Sequence, residues 1–193
     1  LSGAELQNIY TSRLFVGNEK GGSIYVDGIT SANSQNILDK VILQSLKEDE
    51  RVIFEGDKSF FRALDVVSDK GIDVNTDVET TVSSLSLQAD FDAFKAGQII
   101  MADGVTITSK TDLDIESRLK TLGDSNFASD FSVAFNNDLE TAGDFNVYAD
   151  RDGNGTGDIT FAQNIVFSDS GNSLLLKSND LVLGVEINNA ASV

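Results

Sequence analysis

The residues best placed to do chemistry lie in one loop, Asp150-Arg-Asp152-Gly-Asn154-Gly155-Thr156-Gly157-Asp158. Asp150, Asp152 and Asn154 stand at positions one, three and five, which turns oxygen ligands to one side of a tight loop. Gly155 at position six permits the sharp turn, and Asp158 at nine adds a further carboxylate. This is the chemistry of a hard divalent cation, so Asp150, Asp152, Asn154 and Asp158 are the expected ligands of a calcium loop. The match is incomplete. Position twelve, where a bidentate Glu belongs, is Phe161, and Asn154 and Thr156 stand where the nonapeptide calcium repeat has glycines. A glycine-rich solvated turn competes with the calcium reading and is preferred to it. The stretch Asp90-Phe91-Asp92-Ala93 has no such glycines and is not expected to bind metal.

Little other catalytic equipment is present. The 193 residues include no His, Cys or Pro and no Trp, which removes histidine- and cysteine-based nucleophile systems, thiolate or imidazole metal sites, and disulfides. Acidic pairs are plentiful, among them Glu48-Asp49-Glu50 and Asp112 with Asp114. Acid–base catalysis needs two carboxylates at a fixed separation with shifted pKa values, and here the acids are not grouped with Arg or Lys. They read as solvated turns, and the chain is not expected to be an enzyme. Lys and Arg number 14 against 31 Asp and Glu, giving a net charge of −17. Such a surface repels nucleic acid and anionic membrane. Hydrophobic residues at 40% argue against disorder. No apolar run approaches the ~18 residues of a membrane span. The opening Leu1-Ser2-Gly3-Ala4-Glu5 has no initiator Met and no signal-peptide pattern, as in a processed chain or a piece of a longer one.

The elements that must hold these residues are short strands. Apolar residues alternate in Ile24-Tyr-Val26, Leu85-Ser-Leu-Gln-Ala89, Val105-Thr-Ile107, Phe131-Ser-Val-Ala-Phe135, Phe145-Asn-Val-Tyr-Ala149 and Ile159-Thr-Phe161, and the runs end in Gly, Asn, Asp or Ser. The fold class is all-β. Proline cannot donate to a ladder, so its absence fits strands paired on both edges. Helix is confined to a short turn opened by a Ser2/Glu5 capping box. Residues Ile37, Leu38, Val41, Ile42 and Leu46 have near-helical spacing after Ser34, but they read better as a strand Val41–Ser45, a turn Lys47–Glu50 and a strand Arg51–Phe54.

Self-comparison finds Leu85-Ser-Leu-Gln-Ala-Asp90 again, 60 residues on, as Phe145-Asn-Val-Tyr-Ala-Asp150, with Ile99, Met101, Val105 and Ile107 matching Ile159, Phe161, Ile165 and Phe167. The expected architecture is a right-handed parallel β-helix, a β-solenoid of about nine ~20-residue coils rising ~4.8 Å each, roughly 40 Å in all. The alternative is a β-sandwich made by internal duplication. Residues 1–193 are read as one module, with repeats at about 72–130 and 131–193 and a capping or junction segment at 1–13. Asn75 and Asn136 are expected to stack as Asn ladders. Phe60, Phe61, Phe127 and Phe131 are expected to be core fillers.

Two stretches carry a family resemblance. Leu1-Ser-Gly-Ala-Glu-Leu-Gln-Asn-Ile9, with Leu14-Phe-Val-Gly17 and Gly22-Ser-Ile-Tyr-Val-Asp-Gly-Ile29, is one; Phe145 to Phe161 is the other. Both resemble repeat modules of bacterial filamentous-haemagglutinin-like surface proteins, in which "L-x-x-A-E-L-x-x-I" opens a module and "A-D-x-D-G-x-G-T-G-x-x-T" links two coils. The resemblance implies a β-helix that is secreted or on the bacterial cell surface, acting as a structural module of an adhesin or extracellular fibre. Its expected partners are neighbouring modules or copies stacked end to end, with surface glycans as further ligands. A carbohydrate-binding or polysaccharide-active β-helix domain is the alternative function.

Overall fold

In a computed structural model of the protein, residues 1–92, 97–184 and 186–188 are described; Ala93 of the acidic stretch above and residues 189–193 lie outside them. Helix α1 (Gly3–Leu6) precedes strands β1 (Thr11–Asn18) and β2 (Ile24–Asp27), and helix α2 (Ser31–Ser34) leads into β3 (Ile37–Ser45) and β4 (Arg51–Glu55). From there the strands come in threes. They are β5 (Ser59–Phe61), β6 (Leu64–Ser68), β7 (Gly71–Val74); β8 (Val78–Thr80), β9 (Leu85–Gln88), β10 (Gln98–Met101); and β11 (Val105–Ser109), β12 (Leu113–Ile115), β13 (Leu119–Thr121). Next come β14 (Ser125–Ser129), β15 (Val133–Phe135), β16 (Leu139–Thr141); β17 (Phe145–Tyr148), β18 (Asp158–Phe161), β19 (Ile165–Phe167); and β20 (Leu174–Lys177), β21 (Asp180–Leu183), β22 (Ile187–Asn188).

The strands form three sheets with parallel neighbours throughout. The first runs β1-β3-β6-β9-β12-β15-β18-β21, the second β2-β4-β7-β10-β13-β16-β19-β22, and the third β20-β17-β14-β11-β8-β5. Each turn of the chain lays one strand on each sheet and then starts the next rung. This is a parallel β-helix, and the duplicated sandwich is set aside, because each strand pairs with its counterpart one coil away. Eight rungs separated by ~4.8 Å make a stack of roughly 34 Å. All but the six end strands are paired on both edges, which is where proline has no place.

The 60-residue correspondence does not follow the coil. Leu85–Gln88 lies on the first sheet and Phe145–Tyr148 on the third, and likewise Ile99 and Ile159 lie on different sheets. Sixty residues span eight strands, whereas whole turns take three strands each, so the offset sets every strand one face out of place. For the same reason the halves at 72–130 and 131–193 begin on different sheets. What repeats in space does so every 20 residues in the regular part: Val105, Ser125 and Phe145 are in register, as are Ile99, Leu119 and Leu139. Longer corner loops stretch the other coils.

Inward residues of each strand are apolar and buried, forming one continuous core. Phe127, Phe135, Phe145 and Phe161 fill its middle; the Phe135 and Phe161 rings are stacked at 4.8 Å, and Phe127 meets Phe135 edge-on at 5.1 Å. Strands end on inward Ser or Thr, whose hydroxyls take up corner carbonyls: Thr80 Oγ1 donates to Ser83 O at 2.6 Å, Ser109 Oγ to Asp112 O at 2.8 Å and Thr141 Oγ1 to Gly143 O at 3.0 Å. Phe61 and Phe127 are core residues as expected, but Phe131 sits exposed in a corner and Phe60 is half-buried beneath Lys58 Nζ at 4.9 Å. Asn75 and Asn136 end strands of different sheets and do not stack; the Asn pair that does is Asn126 with Asn146, 3.1 Å apart on the outer face of the third sheet.

Residues 37–45 are strand throughout, and the Lys47–Glu50 turn follows, closed by the Glu50 N–H on Lys47 O at 3.1 Å. The turn carries the chain from one sheet to another, so β3 and β4 do not form a hairpin. Alternating burial decides this element against the helical spacing, since Val41, Leu43 and Ser45 face inward together.

Candidate functional site

The loop at 150–158 bridges β17 on the third sheet to β18 on the first. Its base is fixed by the Asp150 N–H on Phe131 O at 3.0 Å and the Arg151 N–H on Ser129 O at 3.0 Å. Gly157 closes it with φ +149°, where a Cβ would meet Phe131 O at 2.4 Å, so no larger residue fits. The loop brings Asp150, Asp152 and Asn154 together but turns their oxygens onto its own amides. The Asp150 carboxylate accepts the Gly155 N–H at 3.1 and 3.2 Å, Asp152 accepts the Asn154 N–H at 3.3 Å, and Asn154 Oδ1 accepts the Thr156 N–H at 2.9 Å. Asp158 stands apart as the first residue of β18, its N–H bonded to Ser132 Oγ at 3.2 Å. Among the described residues no three acidic side chains are gathered as a metal ion would need. These are Asx-type turns, in which the side chains do the work of turn formation.

Asp130, just below this loop, is the most buried of the ion-paired acids. It takes Arg151 Nε at 2.6 Å on one oxygen and Lys110 Nζ on the other, so one carboxylate ties together three successive coils of the corner. Burial pushes its pKa up, but the hydrogen bonds from Arg151 and Lys110 outweigh that and hold it below the usual aspartate value. Asp114, on the outer face of β12, is shifted the other way, first by burial and then by the charges of Glu116 and Asp112. Its strand neighbours on the outer face are Ser86 and Ala134, neither of which can neutralise it.

The two ends of the stack differ. At the start, Leu1 and Ser2 cover the outer edge of the second sheet: the Asp27 N–H bonds to Leu1 O at 3.2 Å, and Ser2 forms a parallel bridge to Asp27. The Ser2/Glu5 capping box is present, and Leu6 of α1 is fully buried. α2 covers the third sheet, with Ser34 Oγ on Phe60 O at 3.0 Å and the Phe60 N–H on Ile29 O at 2.6 Å. At the other end, Leu181 and Leu183 continue the inward columns of Ile159 and Phe161, which are buried at 0% and 2%, yet are themselves 40% and 39% exposed. Among the described residues, no further rung covers these two side chains. Leu181-Val-Leu183 is a short apolar run that reads as a strand; its exposure goes with its place as the last described rung of its sheet, which no local pattern encodes.

No protein-family model matches the chain, and neither a curated protein nor a solved structure matches it. No helix among the described residues is long and apolar enough to cross a membrane. The fold therefore defines the class, a parallel β-helix, and function has to be argued from its surfaces.

Proposed function

We propose that the chain is a structural module of a secreted or cell-surface β-helical protein, an adhesin or extracellular fibre, and that its last rung stacks against a neighbouring module or copy. The observation that carries this is the exposure of Leu181 and Leu183 on the core columns. Inward leucines on a final rung place apolar surface and a free strand edge where another coil would pair. The cover that Leu1, Ser2 and α2 place over the second and third sheets supports a stack with direction. The reading is non-catalytic: Asp114, the carboxylate among the described residues whose pKa is raised, lies on an outer strand face and lines neither of the two cavities at the corner of the first and second sheets.

Sedimentation velocity over a wide concentration range tests this. The chain is expected to associate through its end, and the double change Leu181→Lys and Leu183→Lys to leave a folded monomer. A parent chain as monodisperse as the variant at every concentration would overturn end stacking. Turnover of any glycan by the purified chain would overturn the non-catalytic reading.

A further inference from the structure

We infer that the corner between the first and second sheets is a binding groove for a neutral, hydroxyl-rich saccharide chain, a site independent of the end-stacking reading. Two cavities of about 310 and 400 Å³ adjoin there and share Arg118 and Asp138. Their walls come from the same corner of successive coils: Gln98 at the start of β10, Arg118 before β13, Asn136 and Asp138 between β15 and β16, and Gln163 before β19. The groove thus runs along the stack across four rungs, roughly 14 Å at ~4.8 Å per rung. That shape suits a segment of linear polymer better than a compact ligand.

The lining is chemically specific. The side chains of Gln98, Arg118, Asn136, Asp138 and Gln163 make no hydrogen bond or ion pair with any described residue. Lys120 and Glu140, which also line the groove, pair with each other at 2.7 Å, and outside it Lys40 pairs with Asp65 at 2.9 Å and Arg51 with Asp73 at 2.6 Å. An amide offers both a donor and an acceptor, a carboxylate only acceptors and a guanidinium only donors, which together match hydroxyl groups that both give and take protons. Val166, exposed on the outer face of β19, supplies an apolar contact in the groove for the C–H face of a sugar ring, while Leu119 and Leu139 point into the core behind it. Arg118 and Asp138 are neighbours on successive coils, and with Lys120, Glu140 and Asp90 also in the lining the site carries no surplus positive charge. With the chain at −17, a polyanionic glycan is disfavoured and a neutral one is not.

The test is titration of the full chain, by calorimetry and by NMR, with linear neutral oligosaccharides of increasing length (β- and α-linked glucans and galactans) and with an oligogalacturonate as the acidic comparison. Weak binding to at least one neutral series is expected, tightening with length until the groove is filled. Arg118→Ala and the pair Asn136→Ala with Gln163→Ala should each weaken it about tenfold or more. These positions are corner residues, so the melting temperature serves as the folding check, and Glu48→Gln, in an exposed turn elsewhere, should bind as the parent does. Binding of the acidic oligomer alone, binding of an extended neutral peptide in place of every glycan, binding unaffected by the groove variants, or no binding at all would each overturn the proposal. None of these outcomes bears on association through Leu181 and Leu183.

Discussion

Asp130 has two cations and almost no water. Its carboxylate joins Lys110, one coil before, to Arg151, one coil after, so it acts as a charged cross-tie between rungs. Asp130→Asn keeps the shape and removes the charge; a loss of about 1–2 kcal/mol is expected, modest because both cations remain half in solvent. The folded-state pKa lies below the ordinary value of 3.8, so the charged pairs stabilise fully above that value and fail as pH falls through the depressed one. In thermal melts, the gap between parent and variant should be widest near neutrality and close in acid. A gap that is unchanged at low pH would mean that the pairs contribute nothing. Gly143 shows the same closeness between coils from the backbone side. A Cβ there would meet the Gly123 carbonyl carbon at 2.2 Å and the Asp124 nitrogen at 2.3 Å, so this corner admits only glycine.

At the scale of the element, the strands are short and owe their stability to what stacks above and below them. Phe135, on a three-residue strand, touches the rings of Phe127, Phe145 and Phe161 on neighbouring sheets and rungs. Phe135→Ala should cost about 3–5 kcal/mol by opening a cavity in this cluster, measurable by denaturant unfolding; Phe131→Ala, two residues outside the strand and exposed, should cost far less. A cost for Phe135 no larger than that for Phe131 would mean the ring cluster is dispensable. These two phenylalanines also mark the limit of what alternation reveals. Strand positions such as Val133–Phe135 and Phe145–Tyr148 were legible because inward and outward residues differ in type. Phe131 has the right parity but belongs to a corner, and parity does not say where a strand stops. The 60-residue correspondence failed in the same way: alternation is common to every strand, so it aligns strands without regard to the sheet they join. The 20-residue spacing of Leu119-Lys-Thr121 with Leu139-Glu-Thr141, and of Gly123-Asp124 with Gly143-Asp144, follows the coil because it includes corner residues. The oxygens of the 150–158 loop were recognised by type, but which amides they bond depends on the loop's local turns. The groove at the other corner was invisible in sequence, since Gln98, Arg118, Asn136 and Gln163 come from four coils and share no motif.

At the scale of the molecule, charge and direction dominate. A net charge of −17 on a stack this small repels itself, and the ion pairs along the corners relieve only part of it. Added salt should therefore raise the melting temperature until screening saturates. Because the side-chain oxygens of Asp150, Asp152 and Asn154 are already engaged, calcium should do no more than magnesium at equal ionic strength, checked by melts in either salt and in chelator. A calcium-specific rise that Asp152→Asn abolishes would restore the metal site.

The covered first rung also has a consequence in time. In a parallel coil, a strand docks on a rung that already exists, and Leu1, Ser2 and α2 cover the second and third sheets at one side of the described rungs. Order is then expected to spread away from that cover, as a thread winds onto a spool whose flange is fixed at one side, and pulse-labelled hydrogen exchange should protect the amides of β4 before those of β21. Simultaneous protection of the two would overturn that order.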